Sequence, residues 1–360
     1  MSTIESVHQS LRERPRTWLI TGVAGFIGSH LAEHLLALGQ RVVGVDNFDT
    51  GKRDNLDALV RGAVGRGACE VEAHFEFREL DVRDPEALRQ ACARFDGVEH
   101  VLHHAAVASV PRTLAEPETA HSVNVDGMFN LLEAARACGA KSVVHATSSA
   151  VYGDCPGAPE TGAQSEAIIG RPLSPYAGQK RIAEVLGQTW STTHGMSVVG
   201  LRYFNIVGPR QDPNGAYAAV IPKWIDTLAR GEQPVIFGDG LTTRDFCPVE
   251  DVVQANLLAS TWHERADADA RAMPGDPSEG VFNVGLGGRL TLLELFELLR
   301  DGMADRGVDC RAMQPRHEDF RAGDIRHSRA DVSRARELLG YEPAMPLDTS
   351  LRATMEFLAG

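Results

Sequence analysis

Tyr176 and Lys180 are the pair whose types and spacing first suggest chemistry, in the stretch Leu173-Ser174-Pro175-Tyr176-Ala177-Gly178-Gln179-Lys180. Ser174 suits a helix N-cap, and Pro175 suits the first helical position, where a missing N–H costs nothing. A helix starting there puts Tyr176 and Lys180 one turn apart on the same face. An ammonium beside a phenol favours tyrosinate and lowers the phenol's pKa, so Tyr176 becomes usable as a general base near neutral pH. Tyr and Lys four apart are also common on solvated helix faces, so the pair takes its meaning from the elements around it.

The first of those elements form a nucleotide site. Thr17 to Thr21 is a short apolar run, consistent with a buried parallel strand. It leads into Gly22-Val23-Ala24-Gly25-Phe26-Ile27-Gly28, then an apolar-periodic helix from Phe26 to Leu38, stopped near Gly39. Arg41 to Asp46 is a second strand ending in an acid. Strand, glycine turn, helix, strand and acid together make the dinucleotide-binding plan. The glycines allow a tight turn, close approach of backbone to pyrophosphate, and close helix–strand packing, with the pyrophosphate on the helix N-terminus. Asp46 lies eighteen residues past Gly28, near the spacing for an acid on a ribose 2′-hydroxyl. A carboxylate there repels a 2′-phosphate and favours NAD over NADP, while Lys52 and Arg53 nearby weigh the other way.

Further strands are expected at Ala73 to Leu80, Glu99 to His103, Lys141 to Thr147 and Ser197 to Arg202. Helices are expected at Pro85 to Arg94, at Thr119 to Cys138 carrying Asn124, and from Pro175 onward; residues 60 to 74 read as a loop. This alternation specifies an α/β fold, a Rossmann-type doubly wound parallel sheet. Ligands then bind outside the C-terminal strand ends, where Asp46, Asp81, His104, Ser148 and Asn205 fall. From about Asn205 the texture changes to a turn-rich stretch, helices at Val220 to Arg230, Val249 to Trp262 and Leu292 to Leu299, and short strands at Pro234 to Phe237 and Phe282 to Val284. We read 1–204 as an NAD-binding domain, to which 248–285 returns, and 205–360 as a smaller α/β substrate-binding lobe.

The chain has 360 residues, enough for two lobes with a sizeable core. A net charge of -13 argues against a nucleic-acid or anionic-membrane partner, so an anionic ligand must be held by local arginines and helix N-termini. Six scattered cysteines without a C-x-x-C pair read as reduced residues of a cytoplasmic protein. No apolar run has membrane-spanning length, and Met1 to Arg16 lacks a signal peptide's apolar core and reads as a short arm or helix. His30 and His34 flank Glu33 in an order other than H-E-x-x-H, so no metal is expected. His103 and His104 are expected to pack near the cofactor, Arg210 and Arg326 to be phosphate contacts or surface charges, and Asp267 and Asp269 to sit in a solvated loop.

Taken together, Thr21 to Gly28, Asp81-Val82, Tyr152-Gly153-Asp154, Tyr176 with Lys180, Arg202-Tyr203-Phe204-Asn205, Thr243-Arg244-Asp245-Phe246 and Arg321 to Asp324 resemble the extended short-chain dehydrogenase/reductase superfamily. Within it they resemble the nucleotide-sugar 4-epimerases, over about Trp18 to Tyr341. Ser109-Val110-Pro111-Arg112, Gln211 to Trp224 and Gly323 to Ser328 are most similar to bacterial UDP-N-acetylglucosamine 4-epimerases. The resemblance implies that a hydride passes from the sugar's fourth carbon to tightly bound NAD while a base takes the hydroxyl proton. The resulting 4-keto sugar turns over in the site, and the hydride returns to its other face.

The same resemblance assigns roles. Tyr176 is the base, Lys180 holds the tyrosinate and the nicotinamide ribose, Ser148 bridges substrate oxygen and phenol, and Ser149 assists. Gly22, Gly25, Phe26, Ile27, Gly28, Asp46, Asn47, Asp81, Val82, His104, Ala105, Ala106, Asn124 and Tyr203 fall at the cofactor. Ser109, Asn205, Ala219, Val220, Phe237, Arg244, Arg321, Asp324 and Ser328 fall with Ser148 at the UDP-sugar. Arg244 and Arg321 resemble phosphate clamps, a task suited to the bidentate guanidinium.

Two departures narrow the reaction. Related dehydratases and decarboxylases carry an acid two positions before the Tyr-Gly pair, where this chain has Ala150. Ser328 stands where UDP-galactose-restricted epimerases carry a bulky Tyr, which leaves room for an N-acetyl group that Ser109 could contact. A larger pocket need not exclude UDP-glucose. The rival substrate is a uronic acid, met by Arg112 or Arg326. The rival class is a non-catalytic NAD-binding sensor of the same fold, which has no need to keep Ser148, Tyr176 and Lys180 together. Homodimerisation through the helices 119–138 and 175–193 is usual in the family.

Overall fold

The computed structural model describes residues 2–155, 163–214, 219–265, 279–320 and 326–359. A capping box between Ser2 and Glu5 opens α1 (Thr3–Glu13), which buries Val7 and Leu11. β1 (Thr17–Thr21), α2 (Phe26–Ala37) and β2 (Arg41–Asp46) follow as read from the sequence. The expected loop at 60–74 is corrected. α3 (Arg53–Gly65) runs into it, burying Asn55, Leu59 and Ala63 at four-residue intervals, and α4 (Val71–His74) forms a short turn before β3 (Phe75–Glu79). Gly62 hid this helix. A Cβ there would lie 2.4 Å from the Glu33 carboxyl carbon, so close packing, not a turn, explains the glycine.

α5 (Pro85–Cys92), capped by Asp84, precedes β4 (His100–His103). α6 (Val110–Ala115) and α7 (Pro117–His121) then lead into a π-helical turn, Ser122–Asp126, and α8 (Gly127–Ala137). The single regular helix expected at 119–138 is therefore loosened around Asn124, a distortion common at functional sites. β5 (Ser142–Ser148), a 3₁₀ turn Ser149–Tyr152, α9 (Pro175–His194) and β6 (Ser197–Tyr203) complete this half. Beyond them come β7 (Asn205–Val207), α10 (Val220–Ala229), β8 (Val235–Phe237), β9 (Thr243–Arg244), β10 (Phe246–Pro248), α11 (Val249–Ser260), α12 (Trp262–Arg265), β11 (Val281–Val284), β12 (Leu290–Thr291) and β13 (Arg316–Glu318). Helices Leu292–Ala304 and Leu347–Ala359 pack beside α10.

Among the described residues the main sheet has seven parallel strands, in the order β11-β6-β5-β4-β1-β2-β3. The chain winds outward from β1 in one direction and from β4 in the other, so the topological switch lies between them. One apolar cluster joins α1, α2 and α11 on one face, and a second joins α5, α8 and part of α9 on the other. A third, around Ile225, Leu228, Phe296 and Met355, belongs to the smaller lobe. Among the described residues no helix is long and apolar enough to cross a membrane.

The interior holds neutral histidines. Burial pushes His30 and His145 down to about 4 and His34 and His104 to about 3, and it holds His100 and His103 well below the ordinary value. Each binds a proton less readily folded than unfolded, so its contribution to stability is intact above pH 6.5 and is lost as pH falls toward the folded value. Asp251, pushed up to about 6 by burial, opposes this, as do Asp46, Glu166, Asp245 and Glu250, which burial raises by less, but the histidines are displaced farther. The thermal midpoint should therefore fall by roughly 5–10 °C between pH 7.5 and pH 5. A midpoint that is level or rising over that range would contradict the neutral assignment.

Candidate active site

Backbone geometry shapes the turn after β1. Gly22 adopts φ +71°, and a Cβ there would lie 2.8 Å from backbone atoms of His104 and Ala105. A Cβ on Gly28 would lie 2.1 Å from the Gly22 carbonyl oxygen. α2 starts after Gly25 with no side-chain cap among the described residues and no acid in its first turn. Its leading N–H groups and positive dipole end are left for an anion. The Asp46 carboxylate is fixed opposite, accepting from the Ala24 N–H at 3.0 Å and the Phe48 N–H at 2.8 Å. Lone pairs remain for a diol.

The cleft at this point is lined by Gly22, Gly25, Asp46, Asn47, Asp81, Val82, His104, Ala105 and Ala106, all expected at the cofactor. Phe26, Ile27 and Gly28 form the first turn of α2 behind it. Asn47 donates to Asp81 at 2.8 Å, and the Arg83 guanidinium holds the Asp81 carboxyl down to about 2. The Tyr203 hydroxyl accepts from Asn256 at 2.8 Å and lies 2.9 Å from His104 Nε2, steadying that ring. Asn124 differs from expectation. Its amide donates to the Val107 carbonyl at 3.1 Å and to Gln179 at 2.8 Å, and its oxygen accepts from the Val107 N–H at 2.8 Å. The side chain is used bracing the loop behind the cleft.

At the neighbouring strand end, Ser174 accepts from the Ala177 N–H at 3.2 Å and starts α9 where expected. Tyr176 and Lys180 face inward and are buried. Lys180 Nζ donates to the Ala146 carbonyl at 2.8 Å and sits 5.8 Å from the Tyr176 ring centre. Ser148 ends β5, lies beside the Tyr176 phenol and accepts from the Ala150 N–H at 3.1 Å; Ser149 opens the 3₁₀ turn. The lowered phenol pKa expected from the Lys spacing is corrected. Burial raises it, and the nearby Ser148 hydroxyl opposes that rise. The ammonium points at the β5 backbone, and burial pulls its own pKa down to about 8.

The residues expected at the sugar nucleotide are spread over both lobes, Ser109 and Ser148 in the larger one and the rest beyond residue 204. Ser109 caps α6, accepting from the Arg112 N–H at 3.2 Å. Asn205 on β7 donates to the Asp245 carbonyl at 3.0 Å, and Arg244 on β9 donates to the Thr243 carbonyl at 2.9 Å. Ala219 and Val220 form the start of α10, and Phe237 ends β8. Ser328 is buried, its hydroxyl 3.4 Å from Gln164 Oε1. Arg321, Asp324, Asp267 and Asp269 lie outside the described residues.

Several charges are committed elsewhere. Arg210, expected at a phosphate or on the surface, is instead buried against Glu33. Arg112 pairs with Asp49 and Glu116, and Arg326 pairs with Asp239. His30 meets the Pro209 carbonyl and His34 meets His8; among the described residues no three metal-ligating side chains cluster. Sequence reasoning missed Glu184, which accepts from Arg202 and Thr147 directly beneath the site. Its signal was present: Tyr176, Lys180 and Glu184 recur every fourth residue.

A family model described as the NAD dependent epimerase/dehydratase family matches residues 18–285. The UDP-glucose 4-epimerase of Mycolicibacterium smegmatis is 36% identical over 342 residues, covering 94% of this chain and 97% of that protein. The structure of UDP-N-acetylglucosamine 4-epimerase from Methanobrevibacter ruminantium M1, in complex with UDP-N-acetylmuramic acid, has a TM-score of 0.80 at 34% identity, covering 95% of this chain and 98% of that one. The UDP-glucose 4-epimerase of Thermus thermophilus, in complex with NAD, has a TM-score of 0.77 at 31% identity, covering 96% and 99%. The glycine turn, the uncapped α2 and the fixed Asp46 carboxylate fit that cofactor. This chain belongs to the NAD-dependent epimerase/dehydratase family of extended short-chain dehydrogenase/reductases, and its cofactor is NAD.

Proposed function

We propose that the protein is a 4-epimerase of UDP-hexoses, interconverting UDP-N-acetylglucosamine and UDP-N-acetylgalactosamine through a transient 4-keto sugar. The observation that carries this reading is the meeting of the buried Tyr176 and Lys180 with Ser148 at the end of β5. When bound, NAD supplies a hydride acceptor and donor. The chain's own part is to move the proton. Tyr176 takes it from the sugar's fourth hydroxyl, Ser148 bridges the two oxygens with Ser149 beside it, and Lys180 provides the positive charge that a dry phenolate needs. Gly22, Gly28 and the N-terminus of α2 hold the pyrophosphate of tightly retained NAD, and Asp46 holds its ribose.

Arg244 and Arg321 anchor the UDP diphosphate, with Asn205 and the start of α10 at Ala219 and Val220 alongside. Phe237 and Asp324 lie toward the uridine, and Ser109 lies toward the N-acetyl group. Ala150 supplies no acid for elimination, which favours return of the ketone to a sugar. Ser328 is small enough to admit an acetamido group. Arg112 is engaged by Asp49 and Arg326 by Asp239, which weighs against a uronate and favours an uncharged sugar. UDP-glucose is a smaller ligand that the same pocket accepts. Residues 1–204 with 248–285 serve the cofactor, and 205–360 serve the sugar nucleotide. Phe129 on α8 and Ile182 and Val185 on α9 leave apolar surface for a homodimer, and the six free thiols suit the cytoplasm.

Purified protein assayed side by side on UDP-N-acetylglucosamine, UDP-glucose and UDP-glucuronate, without added NAD, should turn over the first at least as fast as the second. The third should be turned over slowly or not at all. Turnover confined to UDP-glucuronate would overturn the substrate assignment. Ser328→Tyr should cut kcat/KM for the acetamido sugar at least about tenfold, a loss of ~1.4 kcal/mol, while sparing UDP-glucose. Equal loss on both sugars would remove the size argument. Tyr176→Phe should lower kcat by roughly 10²–10⁴-fold with the NAD content of the purified protein unchanged. A fully active variant would show that the base lies elsewhere.

A further inference from the structure

Glu184 lies one turn beyond Lys180, so Tyr176, Lys180 and Glu184 share the buried face of α9. Its carboxylate is saturated. Oε1 accepts from Thr147 Oγ1 at 2.8 Å and Arg202 Nε at 2.9 Å, and Oε2 accepts from an Arg202 terminal nitrogen at 2.9 Å and from Arg181 at 2.8 Å. Thr147 directly precedes Ser148 on β5, and Arg202 belongs to β6, so one carboxylate fastens the helix to both strands. Arg202 continues the chain of contacts, with its guanidinium 4.9 Å from the Tyr152 ring, whose hydroxyl donates to Asn283 at 2.6 Å.

Apolar residues of similar size would fill this space at least as favourably, because desolvating a carboxylate and a guanidinium offsets most of their attraction. The ion pair therefore calls for a reason beyond packing, and Lys180 supplies one. Its Nζ is held on the Ala146 carbonyl in a dry interior. His103 on β4, His104 after it and His145 on β5 face it as neutral rings, and Tyr176 faces it as a neutral phenol. Arg181 and Arg202, the nearby cations, are bonded to Glu184 itself. Burial drives the ammonium toward neutrality, and Glu184 is the carboxylate that opposes this.

We propose that Glu184 is a positioning residue for the proton transfer: clamped by Thr147 and Arg202, it keeps Lys180 charged and in register with Tyr176 and Ser148. The proposal rests on the reading of Tyr176 as base and Lys180 as its cation. It is tested by the pH dependence of kcat in the wild type and in Glu184→Gln, which keeps the shape and removes the charge. The alkaline limb should move at least about one pH unit lower, with kcat at pH 8 down about tenfold, while NAD content and KM hold. Thr147→Val, which loosens the clamp and leaves the charge, should lower the thermal midpoint and leave the limb in place.

An unmoved limb in Glu184→Gln would overturn the proposal. If Tyr176→Phe is inactive in the same series, the proton-transfer reading stands without Glu184. A fully active Tyr176→Phe would remove that reading itself. Should Glu184→Gln fail to fold because Arg202 is left unpaired, Glu184→Gln with Arg202→Met removes both partners and the same limb is measured. Failure of that pair to fold would also overturn the proposal, since the carboxylate would then be needed for folding and not for the charge on Lys180.

Discussion

An ammonium buried at position 180 has lost most of its water, and no single hydrogen bond restores what hydration gave it. Much of the polar interior is arranged around that loss. The β5 carbonyl of Ala146 takes one proton of Lys180, Glu184 supplies the opposing charge, and Thr147 and Arg202 hold Glu184 in place. The surrounding histidines stay neutral, because burial and, for His103 and His104, the ammonium's own charge disfavour a second cation. A phenol placed beside this cation is insulated from water, so its ionisation depends on what the protein puts near it and not on solvent.

The cofactor end works by different means. In the proposed reading it takes a dinucleotide through space that glycines leave open and through backbone N–H groups that, among the described residues, no side chain caps. This needs little charge, which suits a chain of net charge -13. Within the smaller lobe the Asp245 carboxylate accepts from the N–H groups of Leu286, Gly287 and Ala330, and Gln164 of the larger domain bridges to Ala330, two residues after Ser328. A pocket wall held by its main chain can change one side chain without losing its position. In the proposed reading, this is how a single residue such as Ser328 sets the size of sugar accepted.

The β1–α2–β2 unit was legible because apolar run, glycine turn, helical period and terminal acid are all local signals. The cap at Ser174 and the Tyr176–Lys180 face were legible for the same reason. What escaped depended on partners distant in the chain. Gly62 looks like a helix breaker until Glu33 is seen against it, and Arg210 looks like a surface cation until it is found buried on the same carboxylate. The π turn at Asn124 has the composition of an ordinary helix. The phenol pKa was misjudged because spacing reveals a neighbouring charge but not burial, and burial acts in the opposite direction.

The fate of the hydrogen on the sugar's fourth carbon tests the proposed reaction most directly. UDP-N-acetylglucosamine deuterated at that carbon and incubated with the purified protein in ordinary water should give UDP-N-acetylgalactosamine with the deuterium still at the fourth carbon. Epimerisation accompanied by loss of the label to solvent would contradict hydride return to a 4-keto sugar, and with it the role given to Tyr176 and Lys180.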